Sequence, residues 1–414
     1  MKQNTEKIPF SAYQKLVIFI LAVTQFSVIL DFMIMSPMGD MLMKDLALRP
    51  SQFGYAVSAY PLSAGVSGLL TAGFADSFDR KKLLLFFYTG FIVGTFLCSL
   101  SGSYVMLLVA RIVTGLFGGV IASVTMAIIT DLFDIHHRGR VMSFVQMGLG
   151  GSQVLGIPIS LALANMWGWR IPFLMVAVMA VVIAVLIFIK LRPVTHHLAR
   201  QTDRSAVSHL LHTFTNKHYR IGFITTAFLS IGGYMMMPFG TAFAVNNLGI
   251  SQVQLPWLFG ISGVATLTAL PLIGRLSDKV DKYKLFAAAA VWMMLVVLFY
   301  TRLSVSPLWV AITFNVLMML GILGRMVPAG ALTTGLPDMA DRGAFKSFNS
   351  SLQQIAGGVA AASAGLIVVQ KSKTSPLENY DLLGFVMIVI TLITMVLMYM
   401  VSEAVKRRLG EKTV

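Results

Sequence analysis

The sequence has 414 residues, 57% hydrophobic and only 12% charged, with a mean hydropathy of +0.79. No soluble domain of this length encloses so much apolar surface in one core, so the bilayer is the expected solvent. The net charge of +15 does not point to nucleic acid, because the basic residues are divided among short loops instead of lining one groove.

In chain order, twelve apolar segments come close to or exceed the roughly 20 residues that a helix needs to cross the hydrocarbon layer. They cover 14–38, 51–75, 83–100, 104–130, 141–164, 171–191, 220–246, 252–274, 284–302, 307–333, 344–369 and 381–402. The first is too long for a signal-peptide core and ends without a small-residue cleavage site. With the N-terminus placed in the cytoplasm and sides alternating, 24 of the 32 Lys and Arg lie in cytoplasmic segments and 6 outside, while Arg111 and Arg325 fall within spans. That bias predicts a multi-pass cell-membrane protein with both termini cytoplasmic. The connection at 192–218 carries five His but little apolar content. It reads as a linker between one six-helix bundle at 1–191 and another at 219–414.

The two halves repeat each other. "TAGFADSFDRKKLLLF" between spans two and three returns as "LIGRLSDKVDKYKLF" between spans eight and nine, with Asp76 and Asp79 answered by Asp278 and Asp281 at an offset of 202. "HRGRVMSF" (137–144) returns as "DRGAFKSF" (341–348) at an offset of 204. A duplicated six-span unit is the plan of transporters whose halves rock about a central site. The expected fold is therefore an all-α integral membrane protein, twelve transmembrane helices in two pseudo-symmetric bundles. The short charged loops suit a network that closes the cytoplasmic mouth, with Asp76, Asp79, Arg80, Lys81, Lys82, Asp278, Asp281 and Lys282 as its members. A plainer role as topology anchors is the alternative, and both roles can hold together for Arg80, Lys81 and Lys82.

In the fifth span Gly148, Ser152 and Gly156 recur every four residues, which lets a neighbouring helix approach closely. Pro158 removes a backbone hydrogen bond there, so this stretch is a candidate hinge. Gly357, Ala361 and Gly365 repeat the pattern in the eleventh span. Tight static packing is the alternative for both.

Charge inside the membrane is costly and by default suggests function. Asp31 and Arg111 each lie about seven residues from the outer ends of spans one and four, roughly 10 Å deep, and are placed to pair. Burial favours the protonated carboxyl and a nearby guanidinium favours the ionised one, so a change in their separation would load and release a proton. A fixed ion pair is the alternative. Arg325 has no acid within the second half and is a candidate contact for substrate or a structural cation. Thr24, Ser27, Gln146, Gln153, Tyr234, Asn315, Asn349 and Gln353 are further candidates for the substrate pathway, because polar groups within spans face protein or water. The run Met235 to Met237 would suit an adaptable apolar pocket.

The loop "GFADSFDRKKLL" resembles the cytoplasmic signature of the major facilitator superfamily, in which Asp76, Arg80, Lys81 and Lys82 match. Ala72, Ser77 and Asp79 depart from that pattern. "ILDFMIMSPMGD" and "LLVARIVTGLFGG" resemble the first and fourth spans of its proton-coupled exporters, including drug/proton antiporters and arabinose-efflux-like permeases. Gly156, Pro158 and Trp169-Arg170 resemble part of the fifth-span motif associated with antiport. The resemblance implies the major facilitator fold and a proton-coupled exporter of small, drug-like or metabolic molecules working by alternating access. A proton-coupled importer of sugars, organic acids or nucleosides is the alternative.

Other chemistry finds little support. A membrane-embedded enzyme needs catalytic groups clustered at one depth, whereas these spans hold no His and one deep acid. A receptor would be expected to add a soluble domain, and none is read here. No Gly-Lys-Ser/Thr phosphate loop suggests ATP drive. The single cysteine, Cys98, offers no disulfide, and the pair His209 and His212 lacks a third ligand. No cofactor or metal is expected. The expected partners are a small-molecule substrate, protons and lipid, and the expected assembly state is a monomer.

Overall fold

The computed structural model describes residues 10–71, 75–195, 198, 212–339 and 341–411. The side chain of Asp76, His209 and most of the expected linker lie outside the described residues. Among the described residues every regular element is helical, apart from a single β-bridge between Val369 and Glu378.

The first half runs α1 (Ala12–Ile34), α2 (Gly39–Asp45), α3 (Pro50–Thr71), α4 (Arg80–Ser99), α5 (Tyr104–Leu132), α6 (Ile135–Gly151), α7 (Ile157–Trp167) and α8 (Arg170–Lys190). The second runs α9 (Lys217–Tyr234), α10 (Gly240–Asn246), α11 (Leu255–Lys279), α12 (Lys282–Tyr300), α13 (Leu308–Thr333), α14 (Arg342–Ile367) and α15 (Tyr380–Glu411). Taken as spans, these make twelve crossings, which puts both chain ends on one face, called here the terminal face. The other is the distal face.

Start signals are local. Ser11 and Gln14 form a capping box that opens α1, and Asp79 and Asp281 accept from backbone N–H groups to open α4 and α12. The fifth span is α6 and α7 joined by a π turn over Ser152–Gly156. Pro158 lies just beyond that turn and has no N–H for a carbonyl one turn back, so the helix widens instead of stopping.

The structure corrects two expected spans. Residues 14–38 and 220–246 are not continuous helices: α1 ends at Ile34 and α9 at Tyr234, and each resumes as a short helix at Gly39 or Gly240. Pro37 and Pro238 explain both breaks, because neither can donate to the preceding turn. "SPMGD" and "MPFGT" thus form a third internal repeat, at an offset of 201.

Among the described residues ten helices, with the broken ones counted as one each, are long and apolar enough to cross a membrane. The two further spans, α3 and α14, are rich in Ser, Gly, Asn and Gln. They pack on each other along their length and join the halves. A Cβ added to Gly54 would lie 2.9 Å from the Ala361 carbonyl oxygen and from Gly365 Cα, and one on Gly358 would meet the Leu62 side chain. The second seam sets α11 on the fifth span, where Gly263 touches the backbone of Gln153 and Val154. Small residues therefore fix how near the halves come.

Gly54→Val should force the α3–α14 seam apart, at a cost of about 1–3 kcal/mol, read as a lower melting temperature in detergent. Gly139→Ala, which nothing approaches within 4 Å, should melt like the parent protein.

Candidate functional site

Asp31 sits in the last turn of α1, just before the Pro37 break, and faces Arg111 in the second turn of α5. An Arg111 Nη1 donates to Asp31 Oδ2 at 2.8 Å, and Thr95 Oγ1 on α4 donates to Oδ1 at 3.1 Å. Both charged side chains are buried, and the guanidinium lies 4.8 Å from the Tyr60 ring centre on α3. The pairing expected from depth is present. Four helices contribute to it, so any movement of α1 against α5 changes the balance between the carboxylate and its partners. Arg111 Nε has no hydrogen-bond partner among the described residues, which leaves the arginine a spare donor. Removing one member of such a pair ordinarily costs about 3–5 kcal/mol because the other charge is stranded.

The polar candidates scatter. Thr24 is buried and its Oγ1 donates to the Ile20 carbonyl of its own helix at 2.8 Å, and Ser27 Oγ lies 2.7 Å from the Tyr88 hydroxyl, so Ser27 points into the first bundle. Gln146 is exposed on α6, and Gln153 is half-buried at the seam with α11. Tyr234 packs beside Gly357 and stands 6.3 Å from Phe32, whose ring also approaches Tyr60. Asn315 and Asn349 are half-buried with Oδ1 atoms lacking a described partner, and Gln353 is half-buried on α14. Arg325 is buried in the second bundle.

A cleft of about 350 Å³ lies between the halves toward the terminal face, lined by α3, α5 and α14. Its polar lining includes Thr71, Arg80, Ser123, Ser347, Ser350 and Gln354. Sequence reading chose Asn349 and Gln353 instead, each one position from a lining residue. Small serines carried no signal strong enough to single them out.

The distal face is closed by a residue that sequence reading missed. Asp40, buried at the start of α2, accepts from Asn246 Nδ2 at 2.6 Å and from Gln252 Nε2, both in the second half, and from Lys44 Nζ at 2.7 Å. Asn165 Nδ2 donates to the Gln252 carbonyl at 2.9 Å, Lys373 Nζ to the Lys44 carbonyl at 2.8 Å, and the Phe53 and Phe239 rings meet at 5.8 Å. Trp169 Nε1 and Arg170 Nη1 both bond Asp45, which anchors α2 from its other end. The third repeat was the available signal for Asp40.

At the terminal face several bonds of the charged loops stay within one half. Asp79 accepts from the backbone N–H groups of Lys81 and Val194, Arg80 Nε bonds Asp131 at 3.2 Å, and Lys81 Nζ bonds the Phe188 carbonyl. Asp281 pairs with Lys406 at 3.4 Å. The N–H of Lys284 and then the Lys406 ammonium hold the Asp281 carboxyl below its usual range. Lys282 borders a second recess near Asp281 and Arg342. Gly148 and Gly156 pack against Phe26 and Leu30 of α1, and Ser152 Oγ bonds the Gly148 and Phe26 carbonyls, so the fifth-span face rests on the helix that carries Asp31.

Sequence comparison with known families finds one match that covers nearly the whole chain. The Major Facilitator Superfamily is found twice over, at residues 21–243 and 222–413. The chain belongs to the Major Facilitator Superfamily. As a superfamily member it is a transporter rather than an enzyme. It is 25% identical to the uncharacterized MFS-type transporter YbcL of Bacillus subtilis (strain 168), over 63% of this chain and 66% of that protein. It is 23% identical to Multidrug resistance protein 2 of the same organism, over 92% and 95%. Its fold is similar to a bacterial homolog of the human lysosomal transporter Spinster in an inward-facing and occupied conformation, with TM-score 0.78 and 14% identity over 96% and 98% of the chains.

Two measurements follow from this geometry. Asp40→Ala should open the distal face: in a Cys98→Ser background, Ala242→Cys on buried α10 should react several-fold faster with an impermeant maleimide once Asp40 is removed. Unchanged labelling would show that Asp40 holds nothing closed. Asp281, with its folded pKa depressed, stabilises the protein above the unfolded carboxylate value of about 4, and that stabilisation is lost as pH falls through the lower folded value. Asp281→Asn should therefore melt lower than the parent at pH 7, and the gap should close in strong acid.

Proposed function

We propose that the protein is a proton-coupled antiporter that exports small organic molecules by alternating access. The observation that carries this reading is the buried Asp31–Arg111 pair at the end of a broken helix. The bias of Lys and Arg toward the terminal face supports placing both termini in the cytoplasm. On that orientation the state described is open inward, with the Asp40 contacts closing the outside.

Proton site and outer closure then share one element. Asp31 precedes the α1 break and Asp40 follows it, so release of α2 from Asn246 and Gln252 pulls on the turn that holds Asp31. The carboxylate paired with Arg111 is the proton-free form. Movement of α1 away from α5 weakens the pairing, lets Asp31 take a proton from outside, and frees the Arg111 donors. Return of α1 restores the pair and sends the proton inward. The fifth span, with its π turn and Gly148, Ser152, Gly156 and Pro158 against α1, serves as the hinge. At the cytoplasmic mouth, Asp76, Asp79, Arg80, Lys81, Lys82, Asp278, Asp281 and Lys282 form the gate that closes in the outward state. The described in-half bonds of Asp79, Arg80, Lys81 and Asp281 fit an unlatched gate.

Export is favoured over import by the fifth-span resemblance at Gly156, Pro158 and Trp169-Arg170 and by the likeness to a multidrug resistance protein. Liposomes carrying the purified protein and a proton gradient test it, with internal pH followed as cationic drugs, sugars, nucleosides and amphipathic acids are added in turn. Protons should move counter to one class, and Asp31→Asn should silence the exchange. Protons moving together with the compound would establish an importer instead, and proton-driven flux in full with Asp31→Asn would sink the assignment of the carboxylate.

A further inference from the structure

Aligning Pro37 with Pro238 and Gly39 with Gly240 sets Asp31 opposite Gly232, at the same offset of 201. Gly232 lies two residues before the end of α9, as Asp31 lies three before the end of α1. In the first half that position supplies a carboxylate to a buried arginine. In the second half it supplies nothing, yet a buried arginine is there. A Cβ built on Gly232 would sit 3.4 Å from Arg325 Nη2 and 3.7 Å from Thr391 Oγ1.

Arg325 is 2% exposed. Its Nε and Nη1 are enclosed without a hydrogen-bond partner, and Thr391 Oγ1 lacks one as well. Among the described residues no ion pair reaches this guanidinium. Arginine does not shed its proton in proteins, and a buried charge without a partner is strongly unfavourable. Its place in the membrane fits a cargo site. Gly232 is 15 residues along α9, about 22 Å from the terminal face, and the Arg325 side chain leans back along α13 toward the same level. That level is near the bilayer midplane, where a broken helix commonly marks a binding site. Nη2, the nitrogen beside Gly232, is not among the sealed atoms.

We propose that Arg325 and Thr391, beside Gly232, which carries no side chain, bind a carboxylate group of the transported molecule, which supplies the acid that Asp31 supplies in the other half. One guanidinium and one hydroxyl suit a singly charged group, two oxygens taking parallel N–H bonds and one the hydroxyl. The buried Met235 and Met236 at the break provide apolar surface for the rest of such a molecule. The inference rests on the chain being a transporter, whereas the direction of transport and its coupling to protons play no part in it.

Binding therefore tests it without any gradient, so a failure here and a failure of antiport remain separate results. The purified protein in detergent is melted with increasing millimolar benzoate, with benzamide as the neutral analogue and chloride at matched ionic strength. Benzoate should raise the melting temperature by several degrees while benzamide and chloride do not. Arg325→Gln should abolish the shift, Arg325→Lys should keep part of it, and Thr391→Val should weaken it. Gly232→Asp installs the missing acid within the chain: it should raise the melting temperature of the ligand-free protein and remove the response to benzoate. No shift with benzoate in the parent, an equal shift with benzamide or chloride, or a shift that survives Arg325→Gln would overturn the proposal. Should Arg325→Gln not fold, a folded Gly232→Asp that still responds to benzoate overturns it alone.

Discussion

Hydrocarbon offers no hydrogen bond to a polar group, and this constraint shapes the whole molecule. It is why every span is helical, and why the hydroxyls of Thr24, Ser63, Thr114, Ser262 and Thr333 turn back to carbonyls of their own helices. The breaks at Pro37 and Pro238 occur where protein surrounds them, with Met38 and Phe239 wholly buried. Charge obeys the same constraint: Asp31 and Arg111 enter the membrane as a pair, and Arg325 stands out because its half of the molecule brings no acid to it.

Within that constraint, the two halves are held together by two different kinds of contact. The seam of α3 on α14 is made of backbone and small side chains, which meet closely but carry no directional bond that locks them. The distal contacts of Asp40 are few, polar and directional. A seam of the first kind lets helices pivot, and a closure of the second kind makes and breaks as a unit. The cleft at the terminal face, by contrast, is lined by small serines and glycines.

Much of this was legible in the sequence. Apolar run lengths gave the twelve crossings, the charged repeats gave the duplication, and counting residues from the span ends placed Asp31 and Arg111 at one depth. The breaks were not legible from hydropathy, since Pro37 and Pro238 interrupt a helix without interrupting its apolar character. Asp40 was missed for the same reason, lying beyond a span end where an acid draws no notice until its partners, some 200 residues away, are known. The direction of Ser27 into the first bundle depends on helix rotation, which a sequence of nearly uniform apolarity leaves undetermined.

The polar character of α3 and α14 bears on how the protein is made. Each is poorly suited to face lipid, and each finds its cover in the other, yet 270 residues of chain (72–341) separate them. On a ribosome α3 emerges long before α14. Until the eleventh span arrives, the Ser and Gly face of α3 must be sheltered by α5 or by the insertion machinery. Assembly of the two bundles is therefore also the step at which this Ser- and Gly-rich helix of the first half is finally withdrawn from lipid.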